Sequence, residues 1–196
     1  MRRRIAGLAA RGLMAAMLLG ANAAAIAGPT GEPEPELREL LREAIDQADS
    51  FQDRFDAEVW LVDMSGRLKR SIRDDYERLE FLRLLHQEAD RANITPELAL
   101  AVVQVESGFN RYALSTAGAQ GYMQIMPFWL REIAGPEENL FHTRTNLRMG
   151  CTILRYYLDR ERGDLVKALA RYNGSIGKPQ YPALVINAMN KRWYRG

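Results

Sequence analysis

Glu106 is the residue whose surroundings point most clearly to chemistry. It closes an otherwise apolar stretch, 98–105, and the 23 residues 109–131 that follow its helix contain neither Asp nor Glu. If apolar neighbours exclude water from this carboxyl group, they raise its pKa, and a carboxyl group that stays protonated near neutral pH can act as a general acid. The alternative is an ordinary solvated glutamate.

The residues around Glu106 predict where it lies on a helix. Thr95 is typical of a helix cap, Pro96 of the first helical position and Gly108 of a helix terminator. Glu106 is therefore expected in the last turn, where the helix dipole disfavours a negative charge. This placement would raise its pKa further.

Three separated segments carry an unusual combination of motifs. They are Glu-Ser-Gly-Phe at 106–109, Ser-Thr-Ala-Gly-Ala-Gln-Gly-Tyr-Met-Gln-Ile-Met-Pro at 115–127 and Ala-Leu-Ala-Arg-Tyr-Asn-Gly at 168–174. In this order they resemble the peptidoglycan lytic transglycosylases of the Slt type, relatives of goose-type lysozyme, over roughly residues 90–190. The resemblance implies a lysozyme-like helical fold that cleaves glycan strands between N-acetylmuramic acid and N-acetylglucosamine without a metal or cofactor.

The resemblance also implies roles for residues near the predicted acid. Glu106 matches the family's sole catalytic acid, and Ser115 matches a serine that hydrogen-bonds near that carboxyl group and the sugar. Gln124 matches a glutamine that lines the substrate groove, and Met123 matches a residue that packs against a sugar ring.

Further matches lie in the glycines and in the third motif. Tyr172 matches a tyrosine that orients the catalytic glutamate, and Asn173 matches its groove-facing neighbour. Gly118 and Gly121 match glycines that let the loop approach the glycan. The chain departs from many relatives at 174–175, where Gly-Ser replaces Ala-Gly. The resemblance therefore does not predict the loop contacts of these two residues.

The implied chemistry uses one carboxyl group where ordinary glycosidases use two. Glu106 would first protonate the glycosidic oxygen and then, as a carboxylate, deprotonate the muramic acid C6 hydroxyl, which closes a 1,6-anhydro ring. A lysozyme-type hydrolase with a second acid from elsewhere, such as Asp90 or Glu132, is the alternative among enzymes. A catalytically silent peptidoglycan-binding envelope protein is the alternative from another class.

The elements that must position these residues are mainly helical. Apolar residues recur at helical spacing in several segments, which predicts helices with the following inward residues: Leu37, Leu40, Leu41, Ala44, Ile45 and Ala48; Ile72, Tyr76, Leu79, Leu82, Leu85 and Ala89; Leu147, Cys151, Leu154 and Leu158; Leu165, Ala168, Leu169 and Tyr172; Val185, Ile186, Met189 and Trp193. Asn146 and Asp164 are candidate caps. Pro127 is expected to start a short helix that stops before 135–136. The run 59–62 fits either a strand or a buried helical turn.

The glycine-rich stretch 108–126 between these helices is expected to be a structured loop that builds the site. Core packing is favoured over sugar stacking for Trp60, Trp129 and Trp193. The fold class expected is therefore mainly α, a lysozyme-like single domain with a loop-built substrate groove and extra N-terminal helices.

Composition and charge indicate the cellular location and the class of partner. Residues 1–27 combine a basic start with an apolar run and a small-residue cleavage pattern, which predicts a secretory signal peptide, with an uncleaved membrane anchor as the alternative. Residues 28–196 have 23 basic and 25 acidic residues, so nucleic acid is not indicated as a partner. The single cysteine, Cys151, is expected to be a buried free thiol, and the two histidines, His86 and His142, lie too far apart in sequence to predict a metal site.

The expected organisation is a signal peptide at 1–27, a proline-rich linker at 28–36, an N-terminal helical segment at 37–90 packed on the catalytic domain, and a transglycosylase domain at 91–196. The predicted location is the periplasm, and the predicted partner is peptidoglycan, with a monomer as the expected state. The N-terminal helices are expected to cover the core of the catalytic domain. Docking to envelope or secretion machinery is the alternative.

Overall fold

The protein is mainly α-helical, as predicted. The computed structural model describes residues 54–133 and 138–194, and the side chains among them except 54–59 and 131–133. Seven α-helices and a π-helical turn occur in this part of the chain: α1 Arg54–Leu68, α2 Asp75–Arg91, α3 Pro96–Ser107, α4 Pro127–Ile133, α5 Thr143–Arg160, α6 Leu165–Tyr172, α7 Gln180–Ala188 and the π-helical turn Met189–Trp193. The predicted signal peptide, linker and first amphipathic helix lie outside the described residues.

Helix α3 begins and ends where its sequence predicts. The Thr95 side chain accepts a hydrogen bond from the Leu98 amide at 3.3 Å, and Pro96 takes the first helical position. Gly108 ends the helix in the left-handed conformation with φ 57°, which glycine adopts without steric cost. Glu106 therefore lies in the last turn, as expected.

One continuous hydrophobic core connects the described helices. Residues 98–103 of α3 are all buried, so this helix runs through the middle of the core rather than along its surface. Trp60, Trp129 and Trp193 are at most 5 % exposed, which confirms that they pack in the core. The undecided run 59–62 is helical and belongs to α1.

Helix α2 corrects part of the predicted inward stripe. Leu82, Leu85 and Ala89 are fully buried, but Tyr76 is 80 % and Leu79 is 38 % exposed. Arg78 in the first turn is also buried, so the inward face includes the first turn but is rotated away from Tyr76 and Leu79. Periodicity of apolar residues missed this, because a charged residue is usually found at the surface.

A buried ion cluster joins α2 to α5. Glu88 is fully buried and accepts hydrogen bonds from Arg91 at 2.7 Å and from Arg148 at 3.0 Å. Arg91 also donates to the Thr152 hydroxyl at 2.7 Å, so the cluster binds both helices together. Removing one partner from such a cluster leaves an uncompensated buried charge, which costs far more than an exposed pair.

Helix α5 begins earlier than the sequence suggested. It starts at Thr143 with His142 in the cap position, so the prediction that Asn146 caps this helix is wrong. Asn146 instead lies inside the first turn and is 1 % exposed. Cys151 is fully buried, which confirms the expectation of a buried free thiol, and burial raises the pKa of that thiol.

The last helices follow the predicted pattern. Asp164 caps α6 by accepting a hydrogen bond from the Lys167 amide at 3.0 Å. Helix α7 and the π-helical turn bury Val185 and Trp193 completely. Over the described residues, no helix is both long enough and apolar enough to cross a membrane.

Candidate active site

Glu106 lies close to two buried tyrosines, Tyr172 and Tyr181. Its Oε1 accepts a 2.6 Å hydrogen bond from the Tyr181 hydroxyl, contributed by the first turn of α7. Burial raises the pKa of Glu106 to about 7, and the Tyr181 hydrogen bond opposes that rise because it favours the charged form. The side chain remains partly exposed, so a ligand can reach a carboxyl group that is half protonated near neutral pH.

Tyr172 is close to Glu106 but does not bond to it. The negative charge of Glu106 contributes to the raised pKa of Tyr172, after the larger effect of burial. The Tyr172 hydroxyl donates instead to the Met123 carbonyl at 2.9 Å. In this structure Tyr181, rather than Tyr172, donates the hydrogen bond to Glu106, and Tyr172 anchors the motif loop, residues 108–126.

Met123 differs from the expectation that its side chain packs against a sugar ring. It is fully buried and lies against Gly150 of α5, where an added Cβ would collide with the Met123 side chain. Its backbone amide donates to the Asn146 side chain at 2.8 Å. Met123 thus connects the loop to the core, and its side chain offers no surface to a ligand here.

Asn146 is the clamp that holds the motif loop. Its Nδ2 donates to the carbonyls of Gln120 and Leu140, both at 2.9 Å, while its Oδ1 accepts from Met123. Gly121 makes this approach possible, because a Cβ there would lie 2.5 Å from the Leu140 oxygen and would also meet the Asn146 side chain. The glycine is required by this packing as well as by its φ of 75°.

Gln124 sits in a strained backbone position within the same loop. Its φ is 51°, a left-handed conformation that few residues other than glycine adopt. Its Nε2 donates to the Gly121 carbonyl at 2.9 Å and to the Ala113 carbonyl at 3.2 Å, which fixes the side chain. Residues held in this way occur preferentially at functional sites.

Ser115 closes a turn of the loop rather than bonding to Glu106. Its hydroxyl accepts from the Ala119 amide, and its own amide donates to the Ala119 carbonyl, both at 2.9 Å. The hydroxyl proton remains able to donate to a ligand. Gly118, which the resemblance also singled out, has a φ of 88° and open space around its Cβ position.

Asn173 is more buried than a groove-lining residue would be. It is 7 % exposed and follows α6 as its C-cap. Its Nδ2 and the Ser175 hydroxyl are buried without a hydrogen-bond partner among the described residues. A buried donor without a partner costs free energy. Residues 173–175, which follow Tyr172 in the chain, are therefore a locally unfavourable part of the fold.

Among the described side chains, no other carboxyl group shifts the pKa of Glu106. Asp90 is exposed at the end of α2, where its charge acts on His86. The Glu132 side chain lies outside the described side chains. The described part of the chain contains no group of three or more His, Cys, Asp or Glu residues that could hold a metal ion.

Residues 83–181, from within α2 to Tyr181, match the family described as "Transglycosylase SLT domain". The chain belongs to this family. The SLT domain therefore includes Glu106, the motif loop and both tyrosines.

Several curated proteins are similar to this SLT domain. A transglycosylase of Enterobacteria phage PRD1 is 35 % identical over 91 residues, which cover 46 % of this chain and 33 % of the phage protein. The membrane-bound lytic murein transglycosylase C of Histophilus somni (strain 2336) is 34 % identical over 113 residues, covering 50 % of this chain and 31 % of that protein. The chain therefore spans about a third of the length of these two relatives.

A solved structure is also similar to this chain. It is an inactive mutant of the lytic transglycosylase Slt from Pseudomonas aeruginosa, with a TM-score of 0.45 and 18 % identity, covering 84 % of this chain and 35 % of that one. This likeness is too distant to define the fold by itself.

Sequence reasoning missed two residues of the SLT site, Tyr181 and Asn146. Tyr181 lies four residues before the buried Val185, so the inward stripe of α7 extends one turn further towards the N-terminus than assumed. Asparagine is favoured at helix caps, which predicts a cap at Asn146, and only the hydrogen bonds of its side chain reveal the clamp. Helical spacing in the sequence could have predicted the burial of Tyr181, whereas no sequence signal predicts the contacts of Asn146.

Proposed function

We propose that this protein is a peptidoglycan lytic transglycosylase. It cleaves the β-1,4 bond between N-acetylmuramic acid and N-acetylglucosamine and leaves 1,6-anhydromuramic ends. The observation that carries the proposal is Glu106: a partly exposed carboxyl group with a pKa of about 7, hydrogen-bonded to Tyr181. Family membership supports the same reaction class.

The first step uses Glu106 as a general acid. Its proton passes to the glycosidic oxygen, the bond from that oxygen to C1 of the muramic residue breaks, and the substrate's own N-acetyl group stabilises the positive charge at C1. A pKa near 7 makes the proton available at neutral pH, which an ordinary glutamate would have lost.

The second step uses the same group as a base. The Glu106 carboxylate removes the proton from the C6 hydroxyl of the muramic residue, and O6 attacks C1 to close the anhydro ring. Glu106 is thereby protonated again, and no water is consumed. Tyr181 stabilises the carboxylate between the two steps, because its hydroxyl donates to Oε1.

We assign substrate-binding roles to the surrounding loop. Gln124 and Ser115 present polar groups on a loop that Asn146 and Tyr172 hold in place. Asn173 is assigned a substrate-binding role through a bound water, which would connect its buried, unpaired amide to a sugar substituent. Met123 contributes through its backbone, since its side chain is buried.

The deciding experiment is the mass of the products. Purified protein is incubated with sacculi, and the released muropeptides are analysed by mass spectrometry. Transglycosylation gives anhydro ends, which are lighter by one water than the reducing ends that a lysozyme-type hydrolase produces. Release of reducing ends alone would replace the transglycosylase by the hydrolase, and binding without any release would favour the silent envelope protein.

The proposed location is the periplasm, reached through the signal peptide predicted at 1–27. The protein acts there as a monomer on glycan strands, without metal or cofactor. Detection of the protein in an osmotic-shock fraction, shortened at its N-terminus, is the expected outcome.

A further inference from the structure

Trp193 connects the end of the described chain to the helix that carries Glu106. It lies in the π-helical turn that follows α7, and its side chain is fully buried. The indole Nε1 donates a 2.9 Å hydrogen bond to the Gln104 side chain, across 89 positions of the chain. Gln104 precedes Glu106 by two residues in the last turn of α3. This bond therefore fixes α3 at a point just before the proposed acid.

The Trp193 ring also packs against a residue that follows α3. Phe109 has a φ of 69°, a left-handed conformation that bulky residues rarely adopt. Its ring lies 5.6 Å from the Trp193 ring and 6.0 Å from the Phe81 ring, in an edge-on arrangement with both. A backbone conformation of this kind persists only where its surroundings hold it, and such residues cluster at functional sites. Trp193 thus contacts the chain both before and after Glu106.

The π-helical turn that carries Trp193 is tied to the end of α1. The Arg192 guanidinium donates to the Arg67 carbonyl at 2.8 Å, and the Arg67 guanidinium donates to the Arg192 carbonyl at 2.7 Å. Arg67 also forms an ion pair with Asp63 at 2.8 Å. The Arg192 guanidinium lies over the Trp193 ring, 4.6 Å from its centre, which adds a cation–π contact. These contacts hold the turn in place against α1.

The same turn continues α7, the helix that carries Tyr181. Both α7 and the turn pack against α3, and α7 passes directly into the turn. The Tyr194 amide donates to the Met189 carbonyl at 2.8 Å, which is the five-residue spacing of a π-helix, a rare element that often occurs at functional sites. Because α7 and the turn form one continuous helical segment, fixing Trp193 on α3 limits how far Tyr181 can move relative to Glu106.

We propose that Trp193 is a positioning residue that keeps Glu106 and Tyr181 in hydrogen-bond contact. It does so by fixing the turn after α7 against the last turn of α3. Its effect on rate rests on the proposed function, in which a misplacement of the reacting groups by about 1 Å can cost about a hundredfold. Trp193, Arg192 and Arg67 lie outside residues 83–181, so this support comes from parts of the chain beyond the matched SLT domain.

The kinetic test compares two tryptophans that bond to opposite ends of α3. Trp193→Phe keeps an aromatic ring in the core but removes the donor to Gln104. Trp60→Phe is the matched control, because the Trp60 Nε1 donates at 2.9 Å to Glu97 in the first turn of α3. On solubilised glycan we expect Trp193→Phe to lower kcat about three- to tenfold with KM unchanged, and Trp60→Phe to change neither. Equal kcat values for the two variants, or a rise of KM in place of a fall of kcat, would overturn the proposal.

A double variant tests whether Trp193 acts through Tyr181. The kcat of Trp193→Phe combined with Tyr181→Phe should lie close to that of Tyr181→Phe alone, because the contact that Trp193 maintains is then already absent. Losses that multiply would mean that Trp193 affects the rate by another route, and would overturn the positioning role. If circular dichroism shows that Trp193→Phe does not fold, Gln104→Met removes the acceptor of the same bond and takes its place in each experiment.

A spectroscopic measurement tests the contact without cleavage. The Tyr181 ring carbon that bears the hydroxyl is isotope-labelled and followed by NMR, with Tyr181→Phe identifying its signal. In wild type the signal should shift with a midpoint near 7, the pKa of the Glu106 carboxyl group that Tyr181 contacts. We expect Trp193→Phe to reduce the amplitude of this shift and Trp60→Phe to preserve it.

The two kinds of measurement separate this inference from the proposed function. A reduced amplitude in Trp193→Phe would support the positioning role even if wild type released no anhydro product. An amplitude equal to that of wild type would overturn the positioning role, while anhydro products from wild type would still support transglycosylation.

Discussion

Tyr181 and Glu106 are joined by a 2.6 Å hydrogen bond across 75 positions of the chain. Burial alone would hold the carboxyl group protonated, whereas this bond stabilises the carboxylate. The two opposing effects leave the pKa at about 7, close to the value that serves both proton donation and proton removal. The pair thus sets the property on which the proposed chemistry depends.

Replacing Glu106 by Gln is expected to abolish release of anhydro muropeptides while preserving the fold. The amide keeps the shape of the side chain but cannot donate and recover a proton. Digestion of sacculi by the variant, with circular dichroism as the folding control, is the measurement. Activity equal to wild type would remove Glu106 from the mechanism.

The pH profile of cleavage is expected to fall on the alkaline side with a midpoint near 7. The first step needs the protonated carboxyl group, whose pKa in the free protein is about 7. Measuring kcat/KM between pH 5 and 9 on solubilised glycan checks this. A rate that stays constant from about pH 5 to 9 would contradict the assignment of Glu106 as the acid.

The free energy of unfolding is expected to depend on pH through the same raised pKa of Glu106. The pKa of Glu106 is higher in the folded protein than its ordinary value of 4.5, so its contribution to stability is full below that value and is lost as pH rises through 7. Glu106→Gln should therefore become more stable than wild type above pH 7, by up to about 3 kcal/mol. Urea unfolding at pH 4 and pH 8 measures the difference, and a gap that is the same at both pH values would count against a raised pKa.

Tyr181→Phe is expected to move the alkaline limb of the pH profile to higher pH and to lower kcat by about tenfold. The variant removes the bond that favours the carboxylate, so the pKa of Glu106 rises and the base step loses its stabilised form. The readout is the pH profile together with kcat.

Tyr172→Phe is the matched comparison. It leaves the Met123 carbonyl unpaired in the core and is expected to cost about 1–3 kcal/mol of stability. Its pH profile should stay close to that of wild type, because Tyr172 makes no hydrogen bond to Glu106. If Tyr172→Phe shifted the profile and Tyr181→Phe did not, the two assigned roles would have to be exchanged.

Asn146→Ala is expected to destabilise the protein by about 2–4 kcal/mol and to reduce activity without moving the pH profile. The change removes three hydrogen bonds and leaves the buried Leu140 carbonyl and the Met123 amide unpaired, whereas the Gln120 carbonyl keeps its bond from the Ile125 amide. Thermal unfolding and the cleavage rate measured well below the transition check both parts. Asn187→Ala, at an exposed position of α7, is the control and should lower neither.

Local sequence signals predicted the helix that carries Glu106 in detail. Thr95, Pro96 and Gly108 act within a few residues of one another, so their preferences could be read without knowledge of the fold. The same holds for Asp164 at the start of α6. The burial of α2 was predicted less well, since Tyr76 and Leu79 are exposed where their periodicity indicated burial.

The sequence by itself determined the helical class, the position of the acid in its helix and the family to which the motifs belong, because these depend on neighbouring residues. Only the tertiary structure decided which tyrosine reaches Glu106, that Asn146 clamps the loop, and that Met123 faces the core. Those outcomes depend on distances between residues 23 to 75 positions apart. Such distances are set by how the helices pack together, and no local preference of the chain encodes them.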